Sequence, residues 1–312
     1  MMDHLDAIAA FVRAAERGGF SAAARDLGVS QPHVTRAVAQ LEGRLGARLM
    51  NRSTRRLTLT DEGRDYLDRC RAILRAVEDS DESVGARATT LRGELRVFAP
   101  VSLGREWIVP RLTEFLDRHP ALGVRLVLDD RPRDLVEERL DVAVRVGPLE
   151  SSTMRARHLG DVQRLIVASP EYFAKRGMTR PVRPHDLQGH EWLIFDGPVR
   201  VDRVRCVRGG ETVEIACDGR FTSNSSEALQ EAVLRGNGLC LVPYWLASKA
   251  LASGALEHIL PDWGIVPSLP LSAVYPATRA PSEKVRRFID WLVYNFHAED
   301  VFNETRHAGP ER

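Results

Sequence analysis

Glycines cut the first fifty residues into three short helical pieces, and this punctuation limits the fold more than any other feature of the chain. Leu5, Ile8, Ala9, Val12 and Ala15 recur at helical spacing, so residues 4 to 17 read as an amphipathic helix stopped at Gly18-Gly19. Ser21 is placed to cap a second helix, Ala22 to Leu27, whose alanines leave little bulk between it and its neighbour, and Gly28 ends it. Ser30 caps a third helix. Pro32 suits its first turn, where a missing amide hydrogen costs nothing, and Val34, Val38, Leu41 and Leu45 form its buried stripe. The expected local structure is helix, tight turn, helix.

That stripe leaves His33, Arg36 and Gln40 at i, i+3 and i+7 on the outer face, with Gln31 similarly placed at the helix start. A helix of this size fits the DNA major groove, where Arg can donate two hydrogen bonds to guanine and Gln can pair with adenine. The alternative reading is an ordinary solvated face, and the preceding helix and turn favour readout. After Gly46, ARLMNRSTRRLTLTDEG places two strand-like stretches around a basic centre. Arg52, Arg55 and Arg56 there suit a wing lying along phosphates, which adds affinity without reading sequence. A solvated basic turn is the bland alternative.

The whole-chain charge is only +1, but residues 1 to 60 carry nine Arg against five acids. Arg richness by itself has no functional weight, because of 44 basic residues only Lys175, Lys249 and Lys284 are lysine, a bias that genome composition produces. At 312 residues the chain is long enough for at least two domains. Cys70, Cys206, Cys217 and Cys240 are scattered, with no spacing suited to zinc, so neither a metal nor a cofactor is expected. The N-terminus lacks the basic-then-apolar layout of a signal peptide, and no apolar run reaches the roughly 18 residues of a spanning helix. A cytoplasmic protein away from membranes is the expectation.

Thr60-Asp61-Glu62 suits a helix start. Tyr66, Cys70, Ile73, Val77, Ser80, Val84 and Leu91 then nearly follow a coiled-coil repeat, which places a linker helix over residues 61–90. One narrow apolar stripe calls for a partner helix, so a homodimer with two readers on a partly palindromic operator is expected. The alternative is packing of this helix on the chain's own C-terminal domain. Past Gly93, strands (ELRVFAP, VRLVL, DVAVRVG) alternate with helices, which implies a mainly parallel α/β sheet. Gln163 to Ser169 opens a second strand series. RVRCVRGGETVEIA reads as a hairpin turning at Gly209-Gly210, and EALQEAVLRGNGLCLVP as a helix and a buried strand. Two lobes result. Ligands in such folds sit beyond the carboxyl ends of strands, where Ser102 and Asn224 precede helices.

The stretch FSAAARDLGVSQPHVTRAVAQLEGRLGARL, followed by RSTRRLTLT and E-G, resembles the N-terminal signature of LysR-type transcriptional regulators. The P-V-S-L-G turn, the D-V-A-V-R-V-G strand and the unit ending G-L-C-L-V-P resemble the effector domain of the same family, so the likeness covers nearly the whole chain. It implies a winged helix-turn-helix over residues 1–60 and a periplasmic-binding-protein-like effector domain over 93–298. Lobe I would be 93–163 and 269–298, lobe II 164–268, and 299–312 a disordered tail. It further implies that Gln31 and Arg36 read bases, that Ser30 and Thr35 lie near phosphates, and that Arg52 and Arg55 belong to the wing. Met50-Asn51 and His33 depart from the family's usual residues, which bears on operator preference. A small effector, anionic or aromatic, is implied between the lobes, against Ser102, Asp130, Arg145, Phe195 and Asn224. RNA polymerase and a tetramer are the other implied partners and state.

Each cavity candidate has a plainer reading: Ser102 and Asn224 as helix caps, Asp130 and Arg145 as a structural ion pair, Phe195 as core. An enzyme is disfavoured, since no nucleophile elbow, zinc-protease helix or phosphate loop occurs and Gly236-Asn237-Gly238 suits a helix C-cap. A free-standing solute receptor does not explain the N-terminal module. A redox trigger through Cys206 and Cys217 meets a register problem, because a two-residue turn at Gly209-Gly210 sets Cys206 opposite Val213.

Overall fold

The structure, a computed structural model, describes residues 3–52, 57–84, 90–149, 154–197, 201–277 and 281–298, so the wing tip with Arg55 and Arg56 and the expected tail lie outside the described residues. The chain forms two compact units, Met1–Ala88 and Thr89–Arg312.

In the first unit, helices α1 (His4–Arg17), α2 (Phe20–Leu27) and α3 (Gln31–Leu45) precede strands β1 (Met50–Arg52) and β2 (Leu57–Leu59), which pair antiparallel, and helix α4 (Asp61–Val84). Gly18, Gly28 and Gly46 take φ values of 68°, 67° and 64°, the left-handed conformation that stops a helix, which is why the glycine punctuation was readable. Two local expectations fail. Gly19, not Ser21, is the N-cap of α2, and Ser21 instead donates its hydroxyl hydrogen to Gln31 Oε1 at 2.9 Å. Leu45 is 40% exposed, because α3 ends there and the chain turns at Gly46; the buried stripe is Val34, Ala37, Val38 and Leu41.

Contacts at both ends of the wing fix its place. The Glu42 carboxylate accepts the Leu49 and Met50 amides at 2.8 and 3.1 Å, which pins the first wing strand to α3. Thr60 Oγ1 accepts the Gly63 amide at 2.9 Å and so caps α4. A Cβ on Gly63 would stand 1.9 Å from the Leu49 carbonyl oxygen, so only glycine lets α4 approach this closely.

The expected dimer seam divides. Tyr66 packs on Phe11 at 5.8 Å, while Leu67 and Cys70 are buried in the core built by α1 to α3. The first turns of α4 therefore face their own chain, on α1, rather than a partner. Ile73 is 41% exposed and begins the face left open. Ser80 and Val84 lie on the helix at positions whose side chains are outside the described set. Leu91 is off the helix, buried in the core of the second unit.

The second unit contains two five-stranded sheets. The first has the order β4 (Leu122–Leu128), β3 (Gly93–Ala99), β5 (Val142–Val146), β15 (Leu269–Pro276), β6 (Met154–Val162). The second runs β11 (Phe221–Ser223), β8 (Trp192–Phe195), β12 (Leu239–Pro243), β7 (Arg164–Ala168), β13 (Glu257–Ile259). Each is parallel only across its first three strands; β15 and β7 run antiparallel to their neighbours, so the sheets are mixed rather than mainly parallel. The chain crosses between sheets at Gln163 and again after β14 (Gly264–Val266), where β15 returns to the first sheet. The hairpin of β9 (Arg203–Arg208) and β10 (Glu211–Ala216) sets Cys206 opposite Val213, and β14 adds to it as a third, small sheet.

Helix α5 (Val101–Leu103) passes through one π turn, Gly104–Ile108, into α6 (Val109–Arg118), which packs with α10 (Glu283–Ala298) through aromatics. Phe115 meets Phe288 at 5.5 Å and Trp291 at 5.3 Å, and Trp107 stacks on Phe296 at 3.6 Å. The second lobe adds α7 (Pro170–Arg176), α8 (Ser226–Leu234) and α9 (Tyr244–Ala252). Gly236, with φ 74°, closes α8 as the glycine motif suggested, its amide donating to the Val233 carbonyl at 3.0 Å.

Candidate DNA-reading face and effector cavity

On α3, Gln31, His33, Arg36 and Gln40 are exposed, Thr35 is half-buried, and Val34, Ala37, Val38 and Leu41 face the core. The row is therefore presented as one surface. Arg36 Nε donates to the Pro32 carbonyl at 3.3 Å, which steadies the side chain and leaves both terminal nitrogens available, the pair that matches guanine. The Ser21 hydroxyl similarly ties Gln31 to α2. Ser30 is exposed at the N-cap and makes no capping bond with its side chain. A bidentate Arg17–Asp26 pair, at 3.1 and 2.9 Å, holds α1 to α2 behind this surface. Arg52 lies on β1 with its side chain outside the described set.

In the second unit the carboxyl ends of β3, β4, β5, β8 and β12 converge on a cavity of about 730 Å³ between the two sheets, a volume suited to a small molecule. Ser102, Asp130, Arg145 and Phe195 line it. Asn224 does not: it is exposed in the turn before α8, where Ser225 is the cap and Ser226 reaches the cavity. The helix begins at Ser226, so the serine that reaches the cavity stands two positions beyond Asn224.

Ser102 is buried, and its hydroxyl oxygen accepts the Trp245 indole N–H at 3.4 Å, a bond from the first lobe to the second. Pro100 and Pro243 each end a strand and cap a helix, and Ser102 and Trp245 each stand two residues beyond, so the bond joins equivalent turns of the two lobes. That repeated strand-Pro-helix pattern is the sequence signal by which Trp245 could have been found. Two ion pairs reinforce the junction: Arg105 to Glu227 at 3.6 Å and Lys249 to Glu106 at 2.7 Å.

Asp130 accepts the Val101 amide at 2.9 Å, so one amide of the first turn after β3 already has an anion within the chain. Burial raises the pKa of this carboxyl, the Val101 bond opposes the rise, and the charges of Glu227 and Asp129 add to it. No ion pair joins Asp130 to Arg145. Arg145 donates to the Arg133 carbonyl at 2.7 Å, and its Nε is buried without a hydrogen-bond partner among the described residues. Arg164, at the start of β7, also lines the cavity, a position that sequence reading missed because nothing in its spacing marks it.

The four cysteines are buried and free. Burial pushes Cys206 up to about 11 and Cys217 and Cys240 up to about 12, and it raises Cys70 above its ordinary value. Among the described residues no helix is long and apolar enough to cross a membrane, and no cluster of three or more His, Cys, Asp or Glu side chains is placed to hold a metal ion.

Residues 5–64 match the bacterial regulatory helix-turn-helix proteins of the lysR family, and residues 88–296 match the LysR substrate binding domain. A Xanthomonas campestris HTH-type transcriptional regulator is 37% identical over 295 residues, covering 93% of this chain and 85% of the relative. CrgA from Neisseria meningitidis serogroup C is 33% identical over 293 residues, covering 94% and 97%. The solved structure of CrgA, described as a LysR-type transcriptional regulator, aligns with a TM-score of 0.59 at 32% identity, covering 93% and 98%. Full-length AphB, described as a Vibrio cholerae virulence activator, aligns with a TM-score of 0.57 at 27% identity, covering 94% and 99%. The chain is a LysR-type transcriptional regulator, with a helix-turn-helix DNA-binding domain and a two-lobed effector domain.

Proposed function

We propose that α3 enters the major groove with Gln31, His33, Arg36 and Gln40 towards base edges, while Ser30, Thr35 and the wing arginines Arg52, Arg55 and Arg56 contact phosphates. The observation that carries this reading is the division of α3 into a wholly buried stripe and an exposed row of donors and acceptors on one face. A small effector occupies the cavity between the lobes, and by favouring one degree of lobe closure it changes how paired subunits sit on a partly palindromic operator. The regulator acts in the cytoplasm as a homo-oligomer, communicates with RNA polymerase, and needs no cofactor or catalysis of its own.

Selection of bound DNA from a random pool, repeated with Arg36→Ala and Arg55→Ala, tests the first half. Arg36→Ala should relax preference at one position, with a loss of about 1–3 kcal/mol in discrimination. Arg55→Ala should weaken binding to all sequences and reduce the salt slope by about 1. Unchanged sequence preference after Arg36→Ala overturns the reading face.

A further inference from the structure

We propose that the cavity takes a monoanion with an apolar body, and that Arg164 holds its acidic group. This rests on the reading that the cavity is the effector site. The usual seat for an anion in such a fold is partly occupied, because Asp130 accepts the Val101 amide, while the Ser102 hydroxyl oxygen accepts from Trp245. Three arginines stand in the wall, Arg131, Arg145 and Arg164, and Arg131 is exposed, so Arg145 and Arg164 are the two sheltered cations that an acidic group can meet. They are not equivalent. Arg145 lies near Asp134, whose carboxyl pKa is lowered by the Val136 and Glu137 amides and by the Arg145 charge. Arg164 is half-buried, its Nη2 donates to the Pro267 carbonyl at 2.8 Å, and its Nε is buried with no hydrogen-bond partner among the described residues. Burial lowers its pKa, and no carboxylate contributes to the shift.

A guanidinium does not escape such a position by losing its proton. A desolvated cation without a counter-charge is unfavourable until an anion arrives, so the binding of a carboxylate recovers what burial costs. The wall also carries hydrocarbon and aromatic side chains, among them Phe195, Leu241, Trp245, Leu269 and Val274. This fits an apolar body. Asp129 and Asp130 follow β4 on another part of the wall, Asp129 paired with Arg133 at 2.5 Å and Asp130 without a cation of its own. Their charge resists a second acidic group on the ligand. Arg164 and Pro267 also belong to the two segments that cross between lobes, so an anion on Arg164 acts at the hinge.

Titration calorimetry on the full chain with octanoate and phenylacetate, each against its primary amide, tests the assignment. The acids should bind at least tenfold more tightly than the amides, Arg164→Gln should erase that difference while leaving amide binding, and Arg164→Lys should restore part of it. Equal binding of acids and amides, or a preference that survives Arg164→Gln, overturns the anchor. A blocked variant, Val146→Trp, checked for an unchanged Tm, separates the two levels: wild-type binding of both probes there overturns the cavity reading itself. No binding of any probe to the wild-type chain overturns the proposed ligand class.

Discussion

Asp130 shows how one side chain serves the fold at a cost. Its carboxylate caps the turn at Val101, but burial and the neighbouring charges of Glu227 and Asp129 raise its pKa above the unfolded value. Between those two values the folded chain binds more protons than the unfolded chain, so this group's contribution to stability falls as pH rises through the window and is greatest below it. Asp130→Asn keeps an acceptor for Val101 and removes the titration. The difference in Tm between wild type and variant should therefore move in the variant's favour as pH rises from the carboxylate range to neutrality; a constant difference would refute the assignment. The cysteines give a second expectation at this scale. A thiol held at about 11 or 12 carries almost no thiolate at neutral pH, and thiolate is the reactive form. Iodoacetamide at pH 7.5 should leave Cys206, Cys217 and Cys240 unlabelled in the folded chain, and mild peroxide should leave operator binding unchanged. Rapid labelling of Cys206 or Cys217 would revive the redox reading.

Helices that end on glycine were legible because the left-handed conformation at Gly18, Gly28 and Gly46 is nearly a glycine property, whereas helix starts were less so. Ser21 had the residue type of a cap, yet the chain uses Gly19 and gives the Ser21 hydroxyl to Gln31, a contact ten residues away that no local pattern encodes. The third sheet escaped notice for a related reason: β14 is three residues long, and its pairing with β9 is set by the tertiary fold. Helix α4 shows the limit of periodicity most directly. A repeat of apolar positions does not say which neighbour each will meet, and here Tyr66, Leu67 and Cys70 meet α1 while Ile73 is left open. Two substitutions distinguish these faces. Leu67→Ala should destabilise the DNA-binding unit by about 2–5 kcal/mol, read by chemical denaturation, as expected for a buried leucine. Ile73→Asp should leave that stability within about 0.5 kcal/mol, as for a surface position, but shift sedimentation towards smaller species. An unchanged sedimentation profile for Ile73→Asp would remove α4 from the oligomer interface.

Over the whole effector domain, alternating strands and helices announced two lobes, but the parts that join them are pairs of residues more than a hundred positions apart. Ser102 with Trp245, Arg105 with Glu227 and Glu106 with Lys249 bring the helical segment after β3 against α8 and α9 of the second lobe. Sequence reading found Ser102 by its place after a strand and missed Trp245, whose equivalent place was masked by its apolar side chain. The charge order is informative: adjacent Arg105 and Glu106 face an acid and a base of the opposite lobe, so the lobes fit in one register and repel in a shifted one. The cationic ends of these pairs, Arg105 and Lys249, are largely exposed, which makes each pair weak and salt-sensitive, and a weak clasp is what a switch between degrees of closure requires. Hydrogen exchange of the full chain should reveal the clasp directly. Glu106→Lys or Lys249→Glu alone should speed exchange at the amides of α5, the π turn and α9, by placing like charges together. The double variant Glu106→Lys with Lys249→Glu should return exchange towards wild type, since attraction is restored with the signs reversed. High salt should shrink all three differences by screening. If the double variant exchanges as fast as the singles, the two residues are not coupled, and closure must depend on the Ser102–Trp245 bond and apolar packing instead.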